Sequence, residues 1–261
     1  MRRKRLCIFV FLLLMLAAAA TGCSSASEGS GTLRVGVRDD IMNFSYLNEM
    51  TGKYYGLEID LAYELAKELG YQDVAFTTVT PDDRKQMLLD GDIDCLIAAY
   101  SIAETRLKNF DFSPPYYEDK SVIMVQKSSG IQSLEDLEGM AIGVLDGATT
   151  APVFAIKMQE HGLIPDLETD TIVSNINYVR YPSYSELSRA LEDGTVDAAC
   201  MDGCIARGFM NDDRMFLEET LSDENYGVAT QKGSALSKPV ADAVSRMLEN
   251  GTMDALKDKW D

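Results

Sequence analysis

The stretch from Asp94 to Arg106 holds the side chains best suited to chemistry in this chain. An apolar run, Cys95-Leu96-Ile97-Ala98-Ala99, leads into Tyr100-Ser101-Ile102-Ala103-Glu104-Thr105-Arg106. Ser101 followed three residues later by Glu104 is a capping-box pattern, which predicts a helix starting there with Ser101 as its N-cap. The start of a helix offers free N–H groups and the positive end of a dipole, both suited to an anion. Arg106 lies about one turn in, and helical side chains lean toward the N-terminus. Its planar fork could therefore grip a carboxylate through two parallel hydrogen bonds. The plainer reading is a solvent-facing helix arginine, and both readings stay open at this point. A second arginine, Arg84, follows Thr80-Pro81-Asp82-Asp83, a helix start with proline in its first position. The chain has one histidine, His161, which excludes a histidine-rich zinc site or several histidine-based catalytic centres. His161 precedes Gly162, where it reads as a helix-end residue.

The elements that must position these residues occur twice. Asp90-Gly91-Asp92-Ile93-Asp94 leads into the apolar run above, and Asp193-Gly194-Thr195-Val196-Asp197 leads into Ala198-Ala199-Cys200-Met201. Amphipathic stretches, Arg84–Leu89 and Ser185–Leu191, precede them. Upstream, Val35-Gly36-Val37-Arg38-Asp39 echoes Ile142-Gly143-Val144-Leu145-Asp146. The pattern predicts two similar α/β lobes. Residues 57–69 carry apolar Ile59, Leu61, Ala62, Leu65 and Ala66 with a charged opposite face, predicting an amphipathic helix. Helices alternating with short apolar strands imply mainly parallel sheets covered on both faces. Ligands of such sheets bind beyond the carboxyl ends of the strands, which two lobes would bring face to face across a cleft. Asp202 lies five residues beyond Asp197, as Ala99 lies five beyond Asp94, so the repeat puts it at a strand end. A simple N-cap is the bland account of Asp202.

Of 261 residues, 46% are hydrophobic and 25% charged, which excludes wholesale disorder, collagen and a disulfide knot. The formal charge of −18 argues against nucleic acid, whose phosphates need Lys and Arg. Arg2, Arg3, Lys4 and Arg5 precede an apolar run from Leu6 to Ala20, then Thr21-Gly22-Cys23. These are the parts of a secretory signal, and the run falls short of the ~20 apolar residues of a membrane span. Small residues ending at a cysteine resemble a bacterial lipobox, with Ala20 where leucine is usual. Residues 1–22 are expected to be a lipoprotein signal peptide and Cys23 the acylated first residue; plain secretion is the alternative. Residues 23–31 read as a flexible tether. Loss of four positive charges with residues 1–22 takes the formal charge from −18 to −22. Cys95, Cys200 and Cys204 imply no disulfide framework and read as buried thiols, with a Cys200–Cys204 bridge the lesser alternative. No metal site and no cofactor are expected. Trp260 ends an amphipathic tail helix and is expected to dock it.

The run from Asp94 to Tyr117, with Ser-Ile-x-x-x-Arg and then Phe110-Asp111-Phe112-Ser113-Pro114-Pro115-Tyr116-Tyr117, resembles the signature of family 3 extracellular solute-binding proteins. Gly56-Leu57-Glu58-Ile59-Asp60-Leu61 matches a further stretch of that family. So do Gly143-Val144 with Gly147-Ala148-Thr149-Thr150, and Val196-Asp197-Ala198 through Asp202. The resemblance covers residues 32–260. It implies a type II periplasmic-binding-protein-like fold, with residues 32–118 and 224–261 as lobe 1 and residues 119–223 as lobe 2. The hinge strands are expected near Lys120–Val125 and Glu224–Gly227.

The resemblance also implies a receptor that carries an amino acid to an ABC permease, performs no chemistry, and acts as a monomer anchored by lipid outside the cytoplasm. Arg106 and Ser101 would hold the ligand α-carboxylate, helped by the Thr149–Thr150 turn, and Asp202 the α-ammonium. Arg38 falls where basic-amino-acid binders of the family tend to carry an acid, and Arg84 matches an arginine of binders of aspartate, glutamate and some cysteine-like ligands. Tyr184 falls where acidic-amino-acid binders place an aromatic or histidine contact, and Phe44 is expected on the ligand's aliphatic part. A unit charge pair at 4 Å is worth about 4 kcal/mol at an effective dielectric constant near 20, while remote charge is screened over about 8 Å. Two local arginines would outweigh the net negative charge, which points to glutamate or aspartate. Against this, Arg38 or Arg84 could be held by Asp39, Asp40 or Asp83. The alternatives are a receptor for cysteine, cystine or a neutral polar amino acid, a cyclohexadienyl dehydratase-like enzyme, and a sensor for a membrane kinase.

Overall fold

The computed structural model describes residues 31–165 and 176–260. The expected signal peptide, Cys23 and nearly all of the expected tether lie outside the described residues. The apolar segments build two lobes. The first holds β1 (Thr32–Val37), a small antiparallel sheet of β2 (Asp40–Ile41), β3 (Ser45–Asn48) and β4 (Lys53–Tyr55), then α1 (Leu57–Glu68), β5 (Asp73–Thr78), α2 (Arg84–Asp90), β6 (Cys95–Leu96), α3 (Glu104–Leu107) and β7 (Phe110–Phe112). β8 (Tyr117–Gln126) crosses to the second lobe, followed by β9 (Ile142–Leu145), α4 (Thr150–Glu160), β10 (Tyr178–Tyr181), α5 (Tyr184–Glu192), β11 (Ala198–Asp202) and α6 (Gly203–Arg207). β12 (Arg214–Tyr226) returns to β13 (Ala229–Gln231), α7 (Ser237–Glu249) and α8 (Thr252–Trp260). The strand orders are β5-β1-β6-β13-β7 and β10-β9-β11-β8-β12.

The internal repeat is real at the level of single hydrogen bonds. Asp94 accepts the Arg34 amide at 2.8 Å, and Asp197 accepts the Ala141 amide at 2.8 Å. Their own amides return to the Arg34 and Ala141 carbonyls, also at 2.8 Å. Each pair locks the strand after an Asp-Gly turn beside the first strand of its lobe, and both turn glycines, Gly91 and Gly194, have φ +76°. The strand glycines match too. A Cβ at Gly36 would lie 2.5 Å from Ile93 Cδ1, and one at Gly143 would lie 2.5 Å from Leu187 Cδ1 and 3.1 Å from Val196 Cγ2. A side chain at either place would drive the covering residues off the sheet.

Three local expectations change. The apolar run from Cys95 pairs as a strand only over Cys95–Leu96, because Ala99 turns to φ +45° and takes the chain out of the ladder. Ser101 is not an N-cap. It bridges Tyr226 in extended conformation, and the one-turn α3 starts after Ala103 with no side-chain cap. The tertiary bridge outcompetes the local capping pattern. α1 buries all five expected apolar residues, yet Glu58 is buried with them. Elsewhere the readings hold: Trp260 donates to Asp60 at 2.7 Å, and His161 is the C-cap of α4. Cys95, Cys200 and Cys204 are all free thiols, but only Cys95 and Cys200 are buried as expected and Cys204 is half-buried.

β8 and β12 pair antiparallel from Tyr117↔Tyr226 to Ser121↔Ser222, where the chain passes between the lobes. Side chains alternate across a strand. Asp119 and Ser121 on β8 therefore share a face with Ser222, Glu224 and Tyr226 on β12. That face meets the end of β11.

Candidate functional site

Arg38, at the end of β1, and Arg84, at the start of α2, are both buried, as is Arg106 in α3. Arg84 is placed by the Thr80 turn: the Thr80 amide donates to Asp83 Oδ1 at 2.7 Å, and the Asp83 amide to Thr80 Oγ1 at 3.3 Å. Its Nη1 donates to the Ala98 carbonyl at 3.0 Å, and Arg106 Nη1 donates to the Ser101 carbonyl at 2.7 Å. Both guanidiniums lie over the Tyr100 ring, 4.7 and 4.0 Å from its centroid. Arg84 Nε is buried without a partner. Burial, with Arg106 and Arg38 nearby, lowers the Arg84 pKa to about 10, and burial lowers that of Arg106 as well. Both remain cationic at neutral pH. Among the described residues neither forms an ion pair.

Arg38 differs. It pairs with Asp40 at 2.7 Å, and its guanidinium lies 5.7 Å from the Tyr184 ring centroid. The acid two residues along the chain already serves it.

The opposite lobe meets these arginines directly. A cavity of about 250 Å³ lies between Arg84, Tyr100 and Arg106 on one side and Gly147, Ala148 and Thr149 on the other. Gly147 has φ +65°, and a Cβ there would lie 2.6 Å from the Pro81 carbonyl oxygen. The lobes are thus in contact, and only glycine fits both the turn and the approach. The turn leads into α4, whose first N–H groups and positive dipole end add to the arginine field. The Thr150 hydroxyl is buried there without a partner. The arginines on one side and the dipole end of α4 on the other make this cavity electropositive.

Asp202 is absent from that cavity wall and sits against the crossing strands. Its Oδ2 accepts the Tyr226 hydroxyl at 2.6 Å, and its Oδ1 the Ser121 hydroxyl at 3.3 Å. Ser121 is shared with Glu224, at 3.1 Å. Asp202 caps no helix with its side chain; Asp119 takes that place by accepting the Cys204 amide at 2.7 Å. Burial, then the neighbouring Glu224, raises the Asp202 pKa to about 6. Asp202 and Glu224 have no ion-pair partner among the described residues. Both raise the pKa of Arg106, so the field of each reaches that guanidinium.

Phe44 stands apart from the arginines. Its ring meets Tyr117 edge-on at 4.8 Å, and it lines a separate cavity of about 490 Å³ with Tyr117, Phe209 and Trp260. Tyr184 is buried at the start of α5, where the Ser183 hydroxyl accepts the Glu186 amide at 3.2 Å. Burial raises its pKa well above the usual phenol value. Sequence reasoning missed Tyr100, Glu58, Glu224, Ser121 and Tyr226. Tyr100 adjoins Ser101 and was within reach of it. The others become neighbours only through pairings across the fold.

Two sheet-based lobes joined by crossing strands, with buried charged groups near their contact, define a two-lobed solute-binding architecture. Known proteins agree with this, and the chain belongs to the bacterial extracellular solute-binding proteins, family 3, whose sequence model matches residues 33–261. It is 32% identical to the ABC transporter glutamine-binding protein GlnH of Bacillus subtilis, over 86% of this chain and 79% of that one. It is 30% identical to the L-cystine-binding protein TcyJ of Escherichia coli K12, over 88% and 82%. Among solved structures, an ancestral arginine-binding protein bound to arginine superposes with a TM-score of 0.75 at 34% identity, covering 88% of this chain and 98% of that one. The chain is an amino-acid-binding protein of an ABC transporter, in a family that works outside the cytoplasm.

Proposed function

We propose that this protein captures glutamate or aspartate between its lobes and hands it to an ABC permease. The observation that carries the reading is the pair of buried guanidiniums, Arg84 and Arg106, without an acid partner among the described residues. Burying an unpaired charge is costly, so the site is built for a ligand that supplies the missing partners. An amino acid with a second carboxylate supplies two anions and one ammonium. Arg106, Ser101 and the Thr149–Thr150 turn take the α-carboxylate, Arg84 takes the second carboxylate over Tyr100, and Asp202 takes the ammonium. Arg38, neutralised by Asp40, forms a wall with Tyr184 rather than a third anion contact. The cavity of about 250 Å³ beside Arg84, Arg106 and Thr149 takes the carboxylate end, and Asp202 meets the ammonium outside its wall.

Residues 32–118 and 224–261 form one closing unit and residues 119–223 the other. Cys23, acylated after removal of residues 1–22, tethers the protein to the membrane as a monomer. No step alters the ligand.

The named relatives bind glutamine, cystine and arginine, so likeness alone does not choose the solute. A thermal-shift screen does. The protein, unfolded and refolded to strip carried ligand, is tested against the twenty amino acids and cystine. Ligand that binds only the folded state raises the melting temperature. A rise confined to glutamate and aspartate supports the reading. A rise with cystine or a neutral amino acid removes the acidic specificity and keeps the receptor. No rise at all removes the receptor reading.

A further inference from the structure

Glu58 is the most deeply buried acid near the site, at 0% exposure, and it forms no ion pair among the described residues. It lies on the first turn of α1, among the residues that cover the first sheet. One oxygen, Oε1, accepts the Ala99 amide at 2.6 Å and also the Tyr116 hydroxyl. The other, Oε2, is buried with no partner. Ala99 is one of only two non-glycine residues with positive φ among those described, at +45°. That conformation is unfavourable for an L-residue and persists only where surroundings impose it.

The turn at Ala99 shapes the site on both sides. The Ala98 carbonyl holds Arg84, the Ser101 carbonyl holds Arg106, and Tyr100 between them lies beneath both guanidiniums. The two arginines are thus fixed by carbonyls on either side of one strained residue. Turned to the ordinary extended form, Ala99 would carry those carbonyls and the Tyr100 ring elsewhere. On the far side of Glu58, the Tyr116 amide donates to the Tyr226 carbonyl at 2.9 Å, where the crossing strands begin.

We propose that Glu58 is a positioning residue: its grip on the Ala99 amide sets the loop Ala98–Ser101 in the shape that aims Arg84 and Arg106 at the ligand. Tyr116 anchors the carboxyl from the hinge side. This inference rests on the receptor reading.

The test measures ligand affinity by calorimetry at a temperature where every variant is folded, so that lost stability alone moves nothing. Glu58→Met keeps a side chain of similar size but offers the Ala99 amide no oxygen, and should weaken the best ligand at least tenfold; Glu58→Gln, whose amide oxygen can still accept that N–H, should lose less. Ala99→Gly supplies a residue that adopts positive φ at no steric cost. It should restore most of the loss in the Glu58→Met background and leave the otherwise unchanged protein within about threefold. Should Glu58→Met fail to fold, Ala99→Val carries the test, because a β-branched residue resists positive φ; it should weaken binding by a similar factor. Unchanged affinity in Glu58→Met, absence of rescue by glycine, or full affinity in Ala99→Val each overturns the proposal while the receptor reading stands. Absence of amino-acid binding by the unsubstituted protein overturns the receptor reading and this proposal with it.

Discussion

At the scale of the residue, the site divides the work between like charges that differ in their company. Arg106 has no acid partner among the described residues and lines the cavity opposite Thr149. In the proposed site, truncating it therefore removes a charge-assisted contact that every amino-acid ligand makes. Losses of this kind run to about 2 kcal/mol or more, so Arg106→Ala should weaken all ligands at least roughly 30-fold by calorimetry. Arg84→Ala should weaken glutamate far more than glutamine, and equal losses for the two would count against a second-carboxylate role. Asp202 gives a pH signature. With its pKa raised to about 6 by burial and by Glu224, its charged form, the one an ammonium needs, is depleted below that pH. Affinity should fall toward about tenfold per pH unit below 6 and level off above 7, and Asp202→Asn should flatten the profile at low affinity. The ligand-free fold responds in the opposite sense. A raised carboxyl pKa favours the protonated native state, so this group's share of stability is full below about pH 4 and lost as pH rises through 6.

At the scale of the element, the turn before α4 shows how backbone shape becomes function. Gly147 combines positive φ with a close approach to Pro81 in the other lobe. Gly147→Ala therefore carries a strain present in either state, about 1 kcal/mol, and a clash that exists only when the lobes meet. Calorimetry should show affinity down about tenfold or more while ligand-free melting moves by a few degrees; equal binding would mean that closure does not bring Gly147 to Pro81. This turn also marks what a sequence can disclose. The Asp-Gly turns, strand glycines and flanking aspartates of the repeat were legible because each bond joins a recurring local pattern to its own first strand. The pairing of Ser101 with Tyr226 was not, since a bridge spanning 125 positions leaves no trace in a capping-box pattern. Glu58 looked like the polar side of an amphipathic helix, and its burial depends on the Ala99 amide that only the folded loop presents. Arg38 was read in part: its acid partner two residues away was visible, but which way the guanidinium would turn was not.

At the scale of the whole molecule, local and remote charge oppose one another. The site gathers guanidiniums, yet residues 23–261 carry a formal charge of −22. Contact energies in a closed cleft are set by neighbours within a few ångströms, and salt screens them weakly. An approaching anion instead feels the sum over the surface, out to about 30 Å at 0.01 M salt but only about 8 Å at 0.15 M. Glutamate, with one net negative charge, should meet a long-range repulsion that glutamine does not. Stopped-flow association by intrinsic fluorescence should accordingly show glutamate binding several-fold faster at 0.15 M than at 0.01 M salt. Glutamine, if it binds at all, should change little. Dissociation of glutamate should stay nearly constant, because the bound contacts are shielded from solvent. A glutamate association rate that falls with added salt would mean that the arginines at the cleft mouth govern the approach. The acidic surface would then have no part in the kinetics of capture.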